Sequence, residues 1–330
     1  MRESFGYLIC WGHWQKCGIL FTILEVRITI AFLILLLNRK SKIVNHNYNP
    51  KNITFANSCL SNRNYPNNHI NLNTNQRAGY TLLIKIGLHS FSYAVAGQGR
   101  LLALKENLDL SELSQPTDGN KMLSADYSRH IVGISGTGFT FVPASLFNPE
   151  KVADFARFLD IKRNEKVFSQ PLDTDNQVIF KADNTLVNLV AEKFGIDSIV
   201  FAPKGWIKLT AANNPAANQI YLNVEGNQAE FLNYKEGKLR FYNSFEFMAP
   251  DELAYFATLV AGELQLLPGD VTVVLSGGIT PDDENGISLD RFFLKLELNT
   301  LSALALSGQT GSHDILTLTA LSLCGSSEVI

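Results

Sequence analysis

Residues 218–278 read NQIYLNVEGNQAEFLNYKEGKLRFYNSFEFMAPDELAYFATLVAGELQLLPGDVTVVLSGG, and this stretch decides the fold. Apolar and polar side chains alternate over residues 219–224, which is the pattern of a strand with one buried face. Hairpin-turn residues then separate this strand from two others, predicted over 229–234 and 239–247.

A helix and a buried strand follow the three strands. Pro250 suits the first turn of a helix, where its missing N–H costs little, and apolar residues recur from there at helical spacing as far as Leu264. The uninterrupted apolar run 271–275 is typical of a parallel strand that is covered on both faces. We therefore predict the order β-β-β-α-β for this stretch.

The same order opens the preceding part of the chain. Strands are predicted over residues 81–88, 91–96, 100–108, 130–135, 138–142, 177–181 and 199–202. Helices are predicted over residues 149–159, 184–194 and 204–210. The repeated order predicts an α/β (α+β) fold with two lobes, 79–212 and 213–330, in which mixed sheets are flanked by helices. Later in the second lobe we expect a helix over 287–298, a strand over 301–306 and a closing helix over 314–324.

Residues 1–78 differ in composition from the rest of the chain. The apolar segment 19–37 contains Glu25 and Arg27, which would be costly inside a bilayer. Residues 45–75 are rich in asparagine and poor in apolar side chains, so they are predicted to be disordered. One interpretation is an inner-membrane anchor and linker that leave the body in the cytoplasm. We favour the other, in which this tail is translated non-coding sequence.

Composition limits the function of the remaining chain. The formal net charge is −3 and no basic cluster occurs after the tail, so a nucleic-acid surface is not expected. Cys324 is the one cysteine outside the tail, which favours a reducing, cytoplasmic location. No cysteine or histidine spacing suggests a metal site.

Four segments carry a resemblance to a known family. They are FTFVPASLFNP (139–149), FYNSFEF (241–247), VTVVLSGGI (271–279) and HDILTLTALSLC (313–324). In this order they resemble an uncharacterised bacterial family, domain of unknown function 3822, over residues 79–330. The resemblance implies a degenerate relative of the actin-like ATPases, with a duplicated ribonuclease-H-like architecture.

The resemblance also implies where a nucleotide would bind. In actin-like ATPases the first β-turn of each lobe cradles phosphates, and a strand that ends in paired glycine admits adenine. The corresponding candidate residues are Gly87, Ser90, Gly226, Ser276, Gly277 and Gly278. A second interpretation of the paired glycine carries equal weight: it forms the turn between a parallel strand and the start of the next helix. The duplication predicts that all three turns face one another across a groove.

Both candidate phosphate turns depart from the pattern of the actin-like ATPases. The first reads IGLHSFS (86–92) and the second NVEGN (223–227), and neither contains the aspartate that handles metal-bound water. Leu88 and Phe91 would also crowd a phosphate and partly fill the groove. The GxG at 135–138 is predicted to be a hairpin turn, because no GxxxxGK[ST] motif occurs.

These departures favour a non-catalytic scaffold that binds a protein partner of unknown identity. No catalytic residue, metal or cofactor is expected. The alternative is a switch or weak ATPase that holds ATP and magnesium between its lobes.

Overall fold

The computed structural model describes residues 79–306 and 311–324, so the predictions for residues 1–78 lie outside it. A five-stranded sheet in the order β3-β2-β1-β4-β8 forms the first lobe. Its strands are β1 (Tyr80–Ile86), β2 (Ser90–Gly97), β3 (Arg100–Asp109), β4 (Arg129–Ile134) and β8 (Ile199–Phe201). The first three strands are antiparallel, whereas β4 and β8 run parallel to β1.

The second lobe repeats this sheet. Its strands are β9 (Gln219–Glu225), β10 (Gln228–Lys235), β11 (Lys238–Glu246), β12 (Thr272–Gly277) and β13 (Lys295–Leu298). Their order, β11-β10-β9-β12-β13, matches that of the first lobe strand for strand. Three strands are again antiparallel, and β12 and β13 run parallel to β9. The mixed sheets and the two-lobed duplication predicted from the sequence are therefore confirmed.

Helices cover the sheets where the sequence pattern places their apolar faces. They are α1 (Ser111–Ser114), α2 (Val152–Ala156), α3 (Asn184–Phe194), α4 (Lys204–Ala211), α5 (Pro250–Glu263), α6 (Glu284–Asp290) and α7 (Leu316–Ala320). Asp183 accepts hydrogen bonds from the first turn of α3, and Gly195, at φ 85°, ends that helix. Pro250 occupies the first turn of α5, as its sequence context predicts.

Short 3₁₀-helical segments occur at several element ends, and the first of them is kinked at Asn120. They span Asp118–Ser124, Pro149–Lys151, Arg157–Leu159, Ile196–Ser198, Pro268–Asp270 and Leu321–Cys324. Two of them flank α2, so the helix predicted over 149–159 is an α-helical turn between two 3₁₀ turns. No helix among residues 79–306 and 311–324 is both long and apolar enough to span a membrane.

A separate three-stranded sheet is inserted into the first lobe. It consists of β5 (Gly138–Pro143), β6 (Glu165–Pro171) and β7 (Asn176–Asp183), in the order β5-β7-β6. The hairpin predicted at 135–138 is therefore wrong: β4 and β5 belong to different sheets, and the GxG segment is the crossing between them. Its Thr137 hydroxyl donates to Glu165 Oε1 at 2.6 Å, which anchors the crossing to β6.

Glu165 is the polar centre of this insert. Burial opposes its ionisation, but hydrogen bonds from the Lys162 N–H, the Thr137 hydroxyl and the Lys181 ammonium lower the pKa of Glu165 to about 2. The sequence pattern does not predict β6, because this half-buried strand carries no long apolar run.

Two predictions near the C-terminus need correction. The helix expected over 287–298 is wrong, because α6 ends at Asp290 and β13 then pairs with β12. The strand expected over 301–306 is reduced to one parallel bridge between Arg100 and Ala305. Parallel pairing with a distant strand is a tertiary constraint that overrides the local apolar spacing.

The closing segment returns to the first lobe. α7 and the 3₁₀ turn after it pack on the face of the first sheet, where Ile315, Leu318 and Leu321 contact Leu83 and Ile131 within one apolar cluster. Sequence analysis placed these residues with the second lobe. The first sheet is therefore covered on this face by the last residues that the structure describes.

The contact between α4 and α7 depends on Gly205. A Cβ atom built at Gly205 would lie 2.2 Å from the carbonyl oxygen of Ala320. We expect Gly205→Ala to lower the free energy of unfolding by about 1–3 kcal/mol, because a backbone atom must move to make room. The matched control is Gly262→Ala in α5, where nothing lies within 4 Å and the better helix propensity of alanine should raise stability slightly. Urea unfolding measures the free energy of unfolding of both variants. Equal changes in Gly205→Ala and Gly262→Ala would contradict the close contact between α4 and α7.

Candidate functional site between the two lobes

The two lobes share one hydrophobic core. A single cluster of buried residues contains side chains from the first lobe, the insert and the second lobe. Its members on the strands of the second-lobe sheet are Tyr221, Leu232, Tyr234, Leu239, Tyr242 and Val274. The surfaces of the lobes that face each other are therefore filled by apolar side chains over part of their extent.

Tyr242 of β11 is the aromatic centre of this shared core. Its ring centroid lies 5.2 Å from that of Phe139 and 5.9 Å from that of Phe141, both on the insert. It also lies 6.1 Å from the ring of Phe201 at the end of β8. One second-lobe strand thus contacts two parts of the first half, and such aromatic pairs contribute beyond the area they bury.

A buried polar network continues from Tyr242 into the second lobe. The Tyr242 hydroxyl donates to Glu230 Oε1 at 2.7 Å, and Asn223 Nδ2 donates to Glu230 Oε2 at 2.8 Å. Glu230 is only 8% exposed, so both of its oxygens depend on these donors. Tyr242 therefore links the two, because its ring makes the aromatic contacts and its hydroxyl belongs to the polar network.

An ion pair joins the ends of β1 and β9. The Lys85 ammonium, on β1, donates to Glu225 Oε1 at the end of β9. It also donates to Thr317 Oγ1 of α7 at 2.9 Å, and the Thr317 hydroxyl donates to the same Glu225 oxygen at 2.7 Å. We call these three residues the inter-lobe latch. It joins the end of β1, which leads into the 87–90 turn, to the end of β9, which leads into the turn at Gly226.

The latch sets the charge state of Glu225. Burial opposes ionisation of this carboxyl group, but the Lys85 ammonium and the hydrogen bonds from Lys85, Thr317 and Asn223 hold the pKa of Glu225 below its ordinary value. The Lys85 side chain is 7% exposed and that of Glu225 is 42% exposed. Lys85 is therefore the more deeply buried side chain of the pair.

The first-lobe candidates lie in a tight turn. The Gly87 N–H donates to the Ser90 carbonyl at 2.9 Å, which closes the turn between β1 and β2. Phe91 is 1% exposed and belongs to the shared core, whereas Leu88 is 50% exposed. Phe91 is therefore part of the shared core. The expectation that Leu88 helps to fill a groove is wrong, because this side chain lies on the surface.

The second-lobe candidates meet at the ends of β9 and β12. Gly226, at φ 58°, forms the β9–β10 turn. The Gly277 N–H donates to the carbonyl of His313 at 2.8 Å, and the Gly278 N–H donates to the carbonyl of Val224 at 2.8 Å. Both amides of the paired glycine are therefore bonded within the protein.

Backbone packing explains the first glycine of this pair. Gly277 has φ 78°, and a Cβ atom there would lie 2.2 Å from the Val224 carbonyl oxygen. Ser276, which is fully buried, accepts a hydrogen bond from Asn299 Nδ2 at 3.0 Å. Residues 276–278 thus have a structural role, because they allow the backbones of β9 and β12 to approach closely.

Comparison with known proteins identifies the family. The family model described as "Protein of unknown function (DUF3822)" matches residues 69–296. The chain belongs to this family. No curated protein matches the chain.

Solved structures show the same fold as this family member. A Bacteroides thetaiotaomicron protein with an actin-like ATPase fold and unknown function superposes with a TM-score of 0.62 at 20% identity, covering 76% of this chain and 98% of that one. A PilM–PilN type IV pilus biogenesis complex contains a chain that superposes with a TM-score of 0.51 at 14% identity, covering 74% of this chain and 98% of that one. The DUF3822 chain therefore has the actin-like ATPase fold.

Three further features of this DUF3822 protein concern its chemistry, namely the Cys324 thiol, possible metal ligands and a cavity. Burial raises the pKa of the Cys324 thiol to about 11, against the opposing effect of Lys204 and Lys208, so the thiol is not a ready nucleophile. Among the described side chains, no group of three or more His, Cys, Asp or Glu residues is placed to hold a metal ion. A cavity of about 530 Å³ is lined by residues 302–306 and Ser312, and it includes none of the predicted site residues.

Sequence reasoning missed the latch itself. The available signal was Lys85, a charged residue within the otherwise apolar run 82–86 of a strand buried on both faces. Such a residue calls for a partner, because an unpaired buried ammonium is costly. The partners lie 140 and 232 residues further along the chain, where no local pattern points to them.

The latch gives a prediction for stability. We expect Glu225→Gln to lower the free energy of unfolding at neutral pH by about 1–2 kcal/mol, discounted for the exposure of Glu225, because Lys85 loses its counter-ion. The folded-state pKa of Glu225 is depressed, so this contribution is present above the ordinary carboxyl pKa and is lost as pH falls through the folded value. Chemical denaturation at a series of pH values measures it.

The control for this prediction is Glu263→Gln, an exposed carboxylate at the end of α5. It should change stability by less than about 0.5 kcal/mol. A stability difference between wild type and Glu225→Gln that grows on acidification has the wrong sign for a depressed pKa and would overturn the assignment.

The polar network gives a second prediction. Tyr242→Phe keeps the aromatic contacts but leaves one oxygen of the buried Glu230 without its donor, so we expect a loss of about 1–3 kcal/mol in unfolding free energy. Tyr255→Phe is the matched control, because the Tyr255 ring packs on Phe256 and its hydroxyl donates to no described residue. Urea unfolding compares them, and a Tyr242→Phe protein as stable as the control would refute the network's importance.

Proposed function

We propose that this protein is a non-catalytic actin-like scaffold whose lobes stay in one arrangement and present a surface to a protein partner. The observation that carries the proposal is the inter-lobe latch. It joins the ends of β1 and β9, and the turns that follow the corresponding strands cradle phosphates in actin-like ATPases. Lys85, Glu225 and Thr317 satisfy one another there. A triphosphate entering this space would have to displace a buried ammonium from its carboxylate.

The paired glycine supports the same proposal. The N–H groups of Gly277 and Gly278 donate to the carbonyls of His313 and Val224, so they offer no free donor to a ligand. Glu225 is the one acidic residue of the second turn, and Lys85 and Thr317 both bond to its Oε1. A magnesium shell at this carboxylate would therefore compete with an ammonium group that is already paired with it.

The shared core supports fixed lobes. Closing and opening a cleft needs a hinge and surfaces that can separate. Here a separation would expose Tyr242 and break its contacts with Phe139 and Phe201. The known PilM–PilN complex, which contains a chain of similar fold, supports a role in binding another protein. We place this scaffold in the cytoplasm, where a body with a single cysteine among residues 79–330 needs no disulfide.

Retained nucleotide binding at Gly87, Ser90, Gly226, Ser276, Gly277 and Gly278 is the competing function. It is favoured by Gly278, which is exposed and has room beside it, since a Cβ atom there would lie 3.7 Å from the Val224 carbonyl oxygen. In this case ATP and magnesium would bind between the lobes and the protein would act as a switch.

Thermal denaturation of the full chain with millimolar ATP and magnesium distinguishes the two functions. The scaffold predicts an unchanged Tm, whereas a nucleotide at one hundred times its Kd stabilises the folded state by about 2.7 kcal/mol. Gly278→Ala is the diagnostic variant, because it fits the fold but narrows the backbone face that adenine would approach. Gly262→Ala is its control. A rise in Tm with ATP that Gly278→Ala removes and Gly262→Ala keeps would overturn the scaffold proposal.

A further inference from the structure

The second-lobe sheet ends in an open edge at β13. Within the described residues, β13 is paired on one side only, with β12, and the strand order ends there. An edge strand presents unpaired backbone N–H and C=O groups, which can pair with another strand. Leu294, just before β13, is 72% exposed, and Leu298 at its end is 39% exposed. This edge therefore combines free backbone groups with exposed apolar side chains.

The exposed apolar surface extends beyond the strand. Leu267 is 71% exposed, and the Leu294 side chain reaches over the neighbouring Gly269, where a Cβ atom would lie 3.9 Å from Leu294 Cδ1. The other side of the strand carries charge. Lys295 and Glu297 form an ion pair at 2.8 Å, with side chains that are 61% and 45% exposed. Alternation along the strand puts the leucines on one face and the two charges on the other.

We propose that this edge pairs with the same edge of a second copy of the chain, in antiparallel register about a two-fold axis at Leu296. In that register Lys295 lies opposite Glu297 of the second copy, and Glu297 lies opposite its Lys295. Leu294 lies opposite the second copy's Leu298 on the other face. The segment 294–298, LKLEL, is thus complementary to itself in both charge and hydrophobicity.

Other registers are selected against. A slip of two residues sets Lys295 against the second copy's Lys295, or Glu297 against its Glu297, and like charges directly opposite one another are destabilising. A slip of one residue brings leucines opposite charged residues on mismatched faces. One register therefore satisfies every side chain along the segment. The result is a continuous ten-stranded sheet across two copies of the five-stranded second lobe.

The self-pairing is independent of the proposed function, since it makes no use of the inter-lobe site. A short edge buries less than the roughly 1,000 Å² of a stable interface, so we expect a weak dimer that forms with rising concentration. The alternative is an edge protected by its lysine, as many natural edge strands are, and this alternative predicts a monomer.

Sedimentation velocity of the full chain over a range of concentrations tests the dimer. Glu297→Lys places lysine opposite lysine at both symmetric positions, and Lys295→Glu places glutamate opposite glutamate. Each variant alone should weaken the dimer about tenfold or more. Glu246→Lys makes the same charge change on β11 at the opposite edge of the sheet, and it should leave the dimer unchanged.

Mixing the two β13 variants gives the decisive measurement. A heterodimer of Glu297→Lys with Lys295→Glu has opposite charges at both positions, so the mixture should recover the wild-type dimer although neither variant dimerises well alone. The double variant Lys295→Glu/Glu297→Lys should also recover it. If the substitutions acted only by breaking the ion pair between Lys295 and Glu297 of one copy, mixing the variants would not restore the dimer. A wild-type protein that stays monomeric up to its solubility limit, or variants that dimerise as wild type does, would overturn the proposal.

Discussion

Contact between Tyr242 and the aromatic side chains of the first half is the interaction on which the arrangement of the lobes depends. Each lobe has its own sheet, yet the largest buried cluster crosses from one to the other. Tyr242 stands at this crossing, since it contacts the insert, the end of β8 and the indole ring of Trp206. Because its hydroxyl also donates to Glu230, the apolar contact and the buried polar network cannot shift independently.

The inter-lobe latch extends this constraint to the rim of the site. Lys85, Glu225 and Thr317 come from β1, β9 and α7, so three separate parts of the chain meet at one hydrogen-bonded group. A duplicated fold normally leaves a crevice where the turns of its halves face each other. In this protein the ends of β1 and β9, which lead into two of these turns, are joined by charged and polar side chains that neutralise one another.

Much of the fold could be predicted from the sequence because its signals are local. Alternating side chains and turn residues define the β-β-β units, and Gly195 and Pro250 mark helix ends where they were expected. β13 could not be predicted, since its four residues form a strand only by pairing with β12. The same limit applies to the GxG segment, because its neighbours in sequence belong to different sheets.

The candidate site shows a similar division. The need for glycine at 277 was recognisable, but its cause is the carbonyl of Val224 on the adjacent strand, and only the pairing of β9 with β12 brings the two together. Lys85 was the one recognisable member of the latch, because its partners are brought to it only by the duplication and by the return of the C-terminal segment. Long-range electrostatic partners have no signature in a single sequence.

That return has a consequence for how the protein is made. Lys85 meets Thr317 across 232 residues, and the last described residues cover one face of the first sheet. A ribosome delivers the first lobe long before this cover, so Leu83 and Ile131 of the nascent sheet stay uncovered until α7 has been synthesised. Such non-local closure slows folding and leaves an apolar face open to chaperones or to aggregation. A chain truncated before α7 would retain the strands of both sheets but lack the segment that covers one face of the first sheet.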